Sequence, residues 1–247
     1  MKTILITGAL GGIGNILCKT FTKEGWEVIG MDVRVENGQA PFCKYAFNTD
    51  LHQFVQEEVY RAEQLKKITA VLPNGLDALI NNAAVQRLNH FDDIPLSEWQ
   101  ETFNVNLTGP MLLSQGLLNL LEQKQGSIIN ISSIHQQLTK RRFVAYATSK
   151  SALVGLTKAM AVDLQGRIRV NCISPAAVET DMLKAGFDNN EEALSELKRL
   201  HPSQSIGAPE EVAKCALFLT SEEVKFLNGA NLQLDGGISS VLNDIRS

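Results

Sequence analysis

The 247-residue chain is 44% hydrophobic and 20% charged, an ordinary globular composition. Its net charge of -4 gives no electrostatic footprint for nucleic acid, and no stretch approaches the ~18 uninterrupted apolar residues of a membrane span. Cys18, Cys43, Cys172 and Cys215 are scattered, with no Cys-x-x-Cys and no ligand-like spacing to histidine, so they read as buried thiols in a reducing cytosol and no metal site is expected.

Along the chain, apolar runs alternate with amphipathic stretches, the pattern of βαβ units on a parallel sheet. Met1-Lys2 and the apolar run after it superficially resemble a secretory leader. Gly8, Gly11, Gly12 and Gly14 interrupt that run and no Ala-x-Ala follows, so a soluble cytoplasmic protein is expected. A short buried strand over 3–6 runs into Thr7-Gly8-Ala9-Leu10-Gly11-Gly12-Ile13-Gly14, and a helix follows to about Glu24. A helix N-terminus offers unpaired N–H groups and partial positive charge, which suits a pyrophosphate. Gly8 allows a tight turn, Gly12 lets a ligand approach the backbone, and Gly14 lets the helix pack close to the strand. The second strand, over 27–31, ends at Asp32, near the distance expected of a ribose-binding carboxylate. A carboxylate there repels a 2′-phosphate, which favours NAD over NADP, although Arg34 partly offsets the repulsion.

A third strand over 44–47 precedes a helix expected to place Phe54, Val55, Val59, Ala62 and Leu65 on one face. A fourth, over 76–80, ends at Asn81-Asn82-Ala83-Ala84. Ser97 reads as the N-cap of a helix that continues past Asn106 and Gly109-Pro110 to about Leu121. A fifth strand over 126–132 leads to Ser133, a helix spans 144–164, and a sixth strand spans 167–173. The segment 181–203 is more polar, with a helix over 191–200. A further helix starts near Pro209, and the last strand spans 231–235. The expected architecture is a single α/β domain over 1–247, a doubly wound, Rossmann-like parallel sheet of about seven strands with helices on both faces. A substrate lid is expected at about 181–205.

Tyr146-Ala147-Thr148-Ser149-Lys150 lies on the helix over 144–164. Positions i and i+4 share one helical face, so a phenol and an ammonium meet there. A phenol ionises near pH ~10 and a fixed cation beside it lowers that by about 1–3 units, giving a proton donor and acceptor usable near neutrality. Ser133 ends a strand at its carboxyl edge, where ligands sit in open α/β sheets, and Asn106 flanks the same edge.

Taken in order with Asp50-Leu51, Asn104-Val105-Asn106-Leu107-Thr108-Gly109, Ile131-Ser132-Ser133, Asn171-Cys172-Ile173-Ser174-Pro175-Ala176-Ala177-Val178-Glu179-Thr180 and Asp235-Gly236-Gly237, these motifs make the chain resemble the short-chain dehydrogenase/reductase family over essentially its full length. The resemblance implies Tyr146 as general acid/base and Ser133 as hydrogen-bond donor to the substrate oxygen. Lys150 would bind the nicotinamide ribose and lower the Tyr146 pKa, and Asn106 would hold a water linking Lys150 to a proton relay. Cofactor contacts would come from Gly8, Gly11, Gly12, Ile13, Gly14, Asp32, Asp50, Leu51, Asn82, Ala83, Ala84, Tyr146, Lys150, Pro175, Val178 and Thr180, with Asp50 reaching the adenine and Val178 and Thr180 the carboxamide. Two departures stand out: Ala84 and Ala176 replace a glycine frequent in the family, and their methyl groups narrow the approach to the cofactor unless the backbone avoids positive φ.

The function so implied is NAD-dependent interconversion of a secondary alcohol and a ketone. Polar Gln86, Arg87, His135, Gln136 and Gln137 lean toward a small hydroxylated or acidic substrate; Lys140-Arg141-Arg142 and the charges of the lid, His201 included, read as solvated. Three other readings are weaker. A catalytically silent NAD-binding sensor predicts a broken catalytic set, a nucleotide-sugar epimerase has different glycine spacing, and enoyl reductases space the Tyr and Lys further apart. The apolar helices over 106–121 and 144–164 suggest subunit contacts in a homotetramer, with a dimer as the alternative.

Overall fold

The computed structural model describes residues 1–180, 183 and 190–242. Its seven strands are β1 (Thr3–Thr7), β2 (Glu27–Asp32), β3 (Tyr45–Asn48), β4 (Ala78–Asn81), β5 (Ser127–Ile131), β6 (Arg169–Pro175) and β7 (Asn231–Leu234). They form one parallel sheet in the order β3-β2-β1-β4-β5-β6-β7. The strand order reverses between β1 and β4, and in open parallel sheets the crevice at such a reversal, beyond the carboxyl ends of the strands, is where ligands bind.

Successive strand residues point to opposite faces, so each buried strand feeds two cores. Leu5, Ile29, Leu79, Ile128 and Val170 pack on one face. Ile4, Ile6, Val28, Ile80, Ile129 and Ile173 pack on the other, against Leu17 and Phe21 of α1 (Gly12–Lys23). The remaining helices are α2 (Leu51–Gln56), α3 (Glu58–Ala70), α4 (Leu96–Phe103), α5 (Gly109–Gly116), α6 (Leu118–Glu122), α7 (Val144–Asp163), α8 (Glu191–Leu200) and α9 (Pro209–Thr220). Among the described residues no helix is long and apolar enough to cross a membrane.

Three expectations from the sequence are corrected. The helix after β3 is broken at Glu57, whose extended backbone (φ -116, ψ 107) separates α2 from α3 and resets the helical phase. Phe54 is buried, but Val59 and Ala62 face solvent, while Gln64 and Ile68 turn inward. Pro95, not Ser97, is the N-cap of α4. The long helix after it is also interrupted, by a π-helical turn over Asn104–Thr108 and again at Leu117. Of the expected lid, residues 181, 182 and 184–189 lie outside the described residues, and the helix over 191–200 is present as α8.

Candidate active site

A cavity of about 1110 Å³ opens beyond the carboxyl ends of β1, β2, β4, β5 and β6. Every residue expected to take part in catalysis or touch the cofactor lines it except Asn106; of the polar residues expected at its border, Gln86, Arg87 and His135 line it and Gln136 and Gln137 do not. At one end lies the glycine loop. Gly8 has φ +66, and a Cβ there would stand 2.9 Å from the Cα of Ala83. A Cβ on Gly14 would fall 1.9 Å from the Gly8 carbonyl oxygen, so only glycine lets α1 start this close to β1. A Cβ on Gly12 would meet Thr180 at 2.9 Å, which shows how closely the chain after β6 approaches the loop. The exit of β4 is tied to the same turn: Asn82 and Ala83 donate their N–H groups to Thr7 Oγ1 at 2.9 and 3.0 Å, and Asn82 Nδ2 donates to the Thr7 carbonyl at 2.9 Å.

These residues fit a dinucleotide. Helix α1 begins with no side-chain cap and no acidic residue in its first turn, which leaves its positive end toward the cavity that Gly12, Ile13 and Gly14 line. Asp32 lines the same end. Burial by itself would raise its pKa, but hydrogen bonds from the Arg34 guanidinium, the Arg34 N–H and the Leu10 N–H outweigh that and hold the carboxyl below its usual range. Arg34 grips it with two arms, at 3.0 and 3.1 Å. Asp50 accepts the N–H groups of His52 and Gln53 as the N-cap of α2. Neither Ala84 nor Ala176 has a positive φ, so the two departures from glycine carry no backbone strain.

At the other end, Ser133 follows β5 by two residues, and Tyr146 and Lys150 stand one turn apart on α7. The Lys150 ammonium lies 5.6 Å from the centre of the Tyr146 ring, so the two side chains share a face. Lys150 is 2% exposed and donates to the Ile131 carbonyl at 2.8 Å; burial lowers its pKa to about 8. Tyr146 differs from expectation. Burial raises its pKa, and the nearby Ser133 side chain offsets that only in part. In this conformation the ammonium is turned to the Ile131 carbonyl.

Asn106 stands behind the cavity wall in the π-helical turn, a local geometry frequent at functional sites. Its amide brackets Val85, accepting the N–H at 2.9 Å and donating to the carbonyl at 3.0 Å, and also donates to Ser149 Oγ at 3.0 Å. It therefore fixes the loop after β4 to α7, beside Lys150.

The rest of the wall was only partly foreseen. Arg87 pairs with Glu101 through two hydrogen bonds of 2.7 and 2.8 Å. The His135 ring stacks on Phe143 (centroids 4.3 Å apart) and meets Tyr146 edge-on, while Lys140 covers the far side of the cluster, 4.7 Å from the Phe143 centroid. Burial, with help from the Lys140 charge, pushes the His135 pKa down to about 4. His201, expected on a solvated face, is 3% exposed, bonded to the Leu197 carbonyl, and lines the cavity. Glu101 and Ile238 gave no sequence signal, since each comes to the wall from an element distant in the chain, and Phe143, the N-cap of α7, gave none either.

A family model described as enoyl-(acyl carrier protein) reductase matches residues 8–239. The chain is 31% identical to the D-threitol dehydrogenase of Mycolicibacterium smegmatis, over 96% of this chain and 92% of that one. It is 34% identical to the 5-keto-D-gluconate 5-reductase of Escherichia coli, over 96% and 95%. Among solved structures, a 4-hydroxyisoleucine dehydrogenase complexed with NADH superposes with a TM-score of 0.88 at 27% identity, covering 98% of this chain and all of that one.

Proposed function

The chain belongs to the short-chain dehydrogenase/reductase family, and from that premise we propose that Tyr146 is the proton donor and acceptor of a NAD-dependent enzyme acting on a small polyol, sugar or sugar acid. The protein is an oxidoreductase that interconverts alcohols and ketones. One observation carries the assignment of roles: Tyr146, with the Lys150 ammonium 5.6 Å from its ring centre, lines one cavity together with Ser133, the uncapped N-terminus of α1 and an Asp32 held below the usual carboxylate range.

The glycine loop and the start of α1 would hold the pyrophosphate, Asp32 the adenine ribose, and Lys150 the nicotinamide ribose. Asp50 would reach the adenine, and Val178 and Thr180 the carboxamide. A bound nicotinamide supplies or takes the hydride at the carbonyl carbon. Tyr146 gives its phenolic proton to the substrate oxygen as negative charge gathers there, and Ser133 donates a second hydrogen bond to that oxygen. In the oxidative direction Tyr146 must first lose its proton. Its raised pKa therefore predicts alcohol oxidation that increases with pH into the alkaline range. Asn106 acts through the Val85 loop and Ser149 to position Lys150.

The substrate class rests on the polar wall of Arg87, Glu101, His135, Lys140 and His201, and on the polyol and keto-acid relatives. Although the family model is described by an enoyl reductase, the one-turn spacing of Tyr146 and Lys150 favours carbonyl chemistry. A homotetramer is the proposed assembly: α7 leaves Gly155, Ala159 and Val162 exposed along one face.

The test is NAD-coupled absorbance with a panel of polyols, sugar acids, 3-hydroxyacyl thioesters and steroids. Turnover is expected on a polyol or sugar acid, and Tyr146→Phe should lower it by at least about 10²-fold with NAD binding retained. Activity confined to steroids or acyl thioesters would overturn the substrate reading, and an active Tyr146→Phe enzyme would overturn the catalytic one.

A further inference from the structure

The connection between β2 and β3 brings a thiol against α1. Thr22 Oγ1 donates to the Phe42 carbonyl at 2.7 Å, and Phe42 has φ +63, a left-handed conformation that is unusual for a bulky residue. The turn directs Cys43 inward, half-buried, onto Gly30 of β2. A Cβ at Gly30 would stand 2.8 Å from Cys43 Sγ, so the missing side chain is what makes room for the sulfur. Opposite it lies Cys18 of α1, fully buried, with the two Sγ atoms 3.7 Å apart. Neither thiol takes part in the proposed mechanism, and both are free.

We propose that Cys18 and Cys43 are a reversible disulfide-forming pair that takes a peroxide as oxidant and, when closed, clamps the β2–β3 connection to the helix behind the glycine loop. A disulfide needs its sulfurs at about 2.05 Å. Residues 36–39, 41 and 42 of the connection are exposed, so this segment can make the approach while Cys18 stays in its helix. Cys43 is the sulfur a peroxide reaches. Its thiolate attacks one peroxide oxygen, the O–O bond breaks, and Cys43 becomes a sulfenic acid as hydroxide leaves. The Cys18 sulfur then attacks Cys43, the S–S bond forms, and the displaced hydroxyl leaves as water with the Cys18 proton. In sum the two thiols lose two electrons and two protons, and the peroxide becomes two waters. The order of attack follows from access: Cys43 is half-buried at the end of an exposed connection, whereas Cys18 is fully buried in its helix.

The pair lies close to the adenosine end of the cavity. A Cβ on Gly30 would also come within 3.0 Å of Ala9 Cβ in the glycine loop, and Asp32 follows two residues later on the same strand. Closing the pair should therefore weaken NAD binding. That consequence rests on the cofactor reading above, whereas disulfide formation does not.

Full-length protein treated with hydrogen peroxide should lose the mass of two hydrogen atoms. It should yield one peptide pair linked through Cys18 and Cys43, and recover four alkylatable thiols with dithiothreitol. Cys43→Ser should give no such link. NAD titration should show about tenfold weaker binding to the oxidised protein, with no peroxide effect in Cys43→Ser. Accumulation of Cys43 sulfinic acid beside a free Cys18, or a link through other cysteines, overturns the pair. A Cys18–Cys43 link with unchanged NAD affinity overturns the coupling. Failure to bind NAD in either redox state overturns the cofactor reading and leaves the disulfide standing.

Discussion

Burial lowers the Lys150 pKa from 10.5 to about 8, which makes folding stability depend on pH in a definite direction. Between those values the unfolded chain binds the proton that the folded chain has released, so stability rises as pH increases through the window. The difference is about 3 kcal/mol at roughly 1.4 kcal/mol per pKa unit. Urea unfolding of the wild type should show that rise, and Lys150→Met should flatten it; parallel curves would mean the ammonium is solvated. His135 shifts the opposite way from a sensor of neutral pH. With its pKa near 4, its ring signals should show no titration midpoint between about pH 5 and 8 by NMR. Asp32→Ala should raise the NAD KM by about tenfold, equivalent to about 1.4 kcal/mol, and lower that for NADP. The substitution removes the carboxylate that repels a 2′-phosphate and frees Arg34 to meet it. Unchanged KM values would remove Asp32 from cofactor selection.

Two elements carry the site's geometry. Where α1 meets β1, a methyl group on Gly14 would overlap the Gly8 carbonyl oxygen at 1.9 Å, and backbone at that distance cannot give way as a side-chain tip can. Gly14→Ala should cost at least about 1–3 kcal/mol of stability, read from the urea midpoint, and weaken NAD binding with it. The second element is the π-helical turn between α4 and α5. Asn106→Ala would leave both the N–H and the carbonyl of Val85 without this partner, at a cost of about 1 kcal/mol, because Val85 is only half-buried and borders the cavity. A purely structural role would lower stability alone. A positioning role should also lower kcat, and Asn106→Asp, which keeps the acceptor for the Val85 N–H, should rescue part of it.

At the scale of the whole molecule, the proposed tetramer depends on the outer face of α7, where Val162 is 78% exposed. Light scattering should give a four-chain mass, and Val162→Glu should reduce that mass while leaving the circular dichroism spectrum unchanged. A monomeric wild type would assign this face to solvent. The strand order, with its reversal between β1 and β4, joins the two ends of the cavity. The end proposed to hold the dinucleotide is built from β1 and β2, and the end proposed as reactive from β5, α7 and the loop after β4.

The order of elements and most of the site were legible in the sequence because both depend on local pattern. Alternating apolar runs specify strands that are buried on both faces, glycines mark turns that no side chain could enter, and a four-residue spacing puts Tyr146 and Lys150 on one face of a helix whatever surrounds it. What the sequence could not express were properties set by neighbours distant in the chain. The break at Glu57 turned Val59 and Ala62 outward, and the π-helical turn placed Asn106 behind the wall. Burial raised the phenol pKa where spacing alone predicted a lowering. His201 became a wall residue because α8 folds back over the cavity, and Cys18 met Cys43 because Gly30 left room for a sulfur. Periodicity fixes which way a side chain faces along its own element. Its solvation and its partners are decided only when the elements pack.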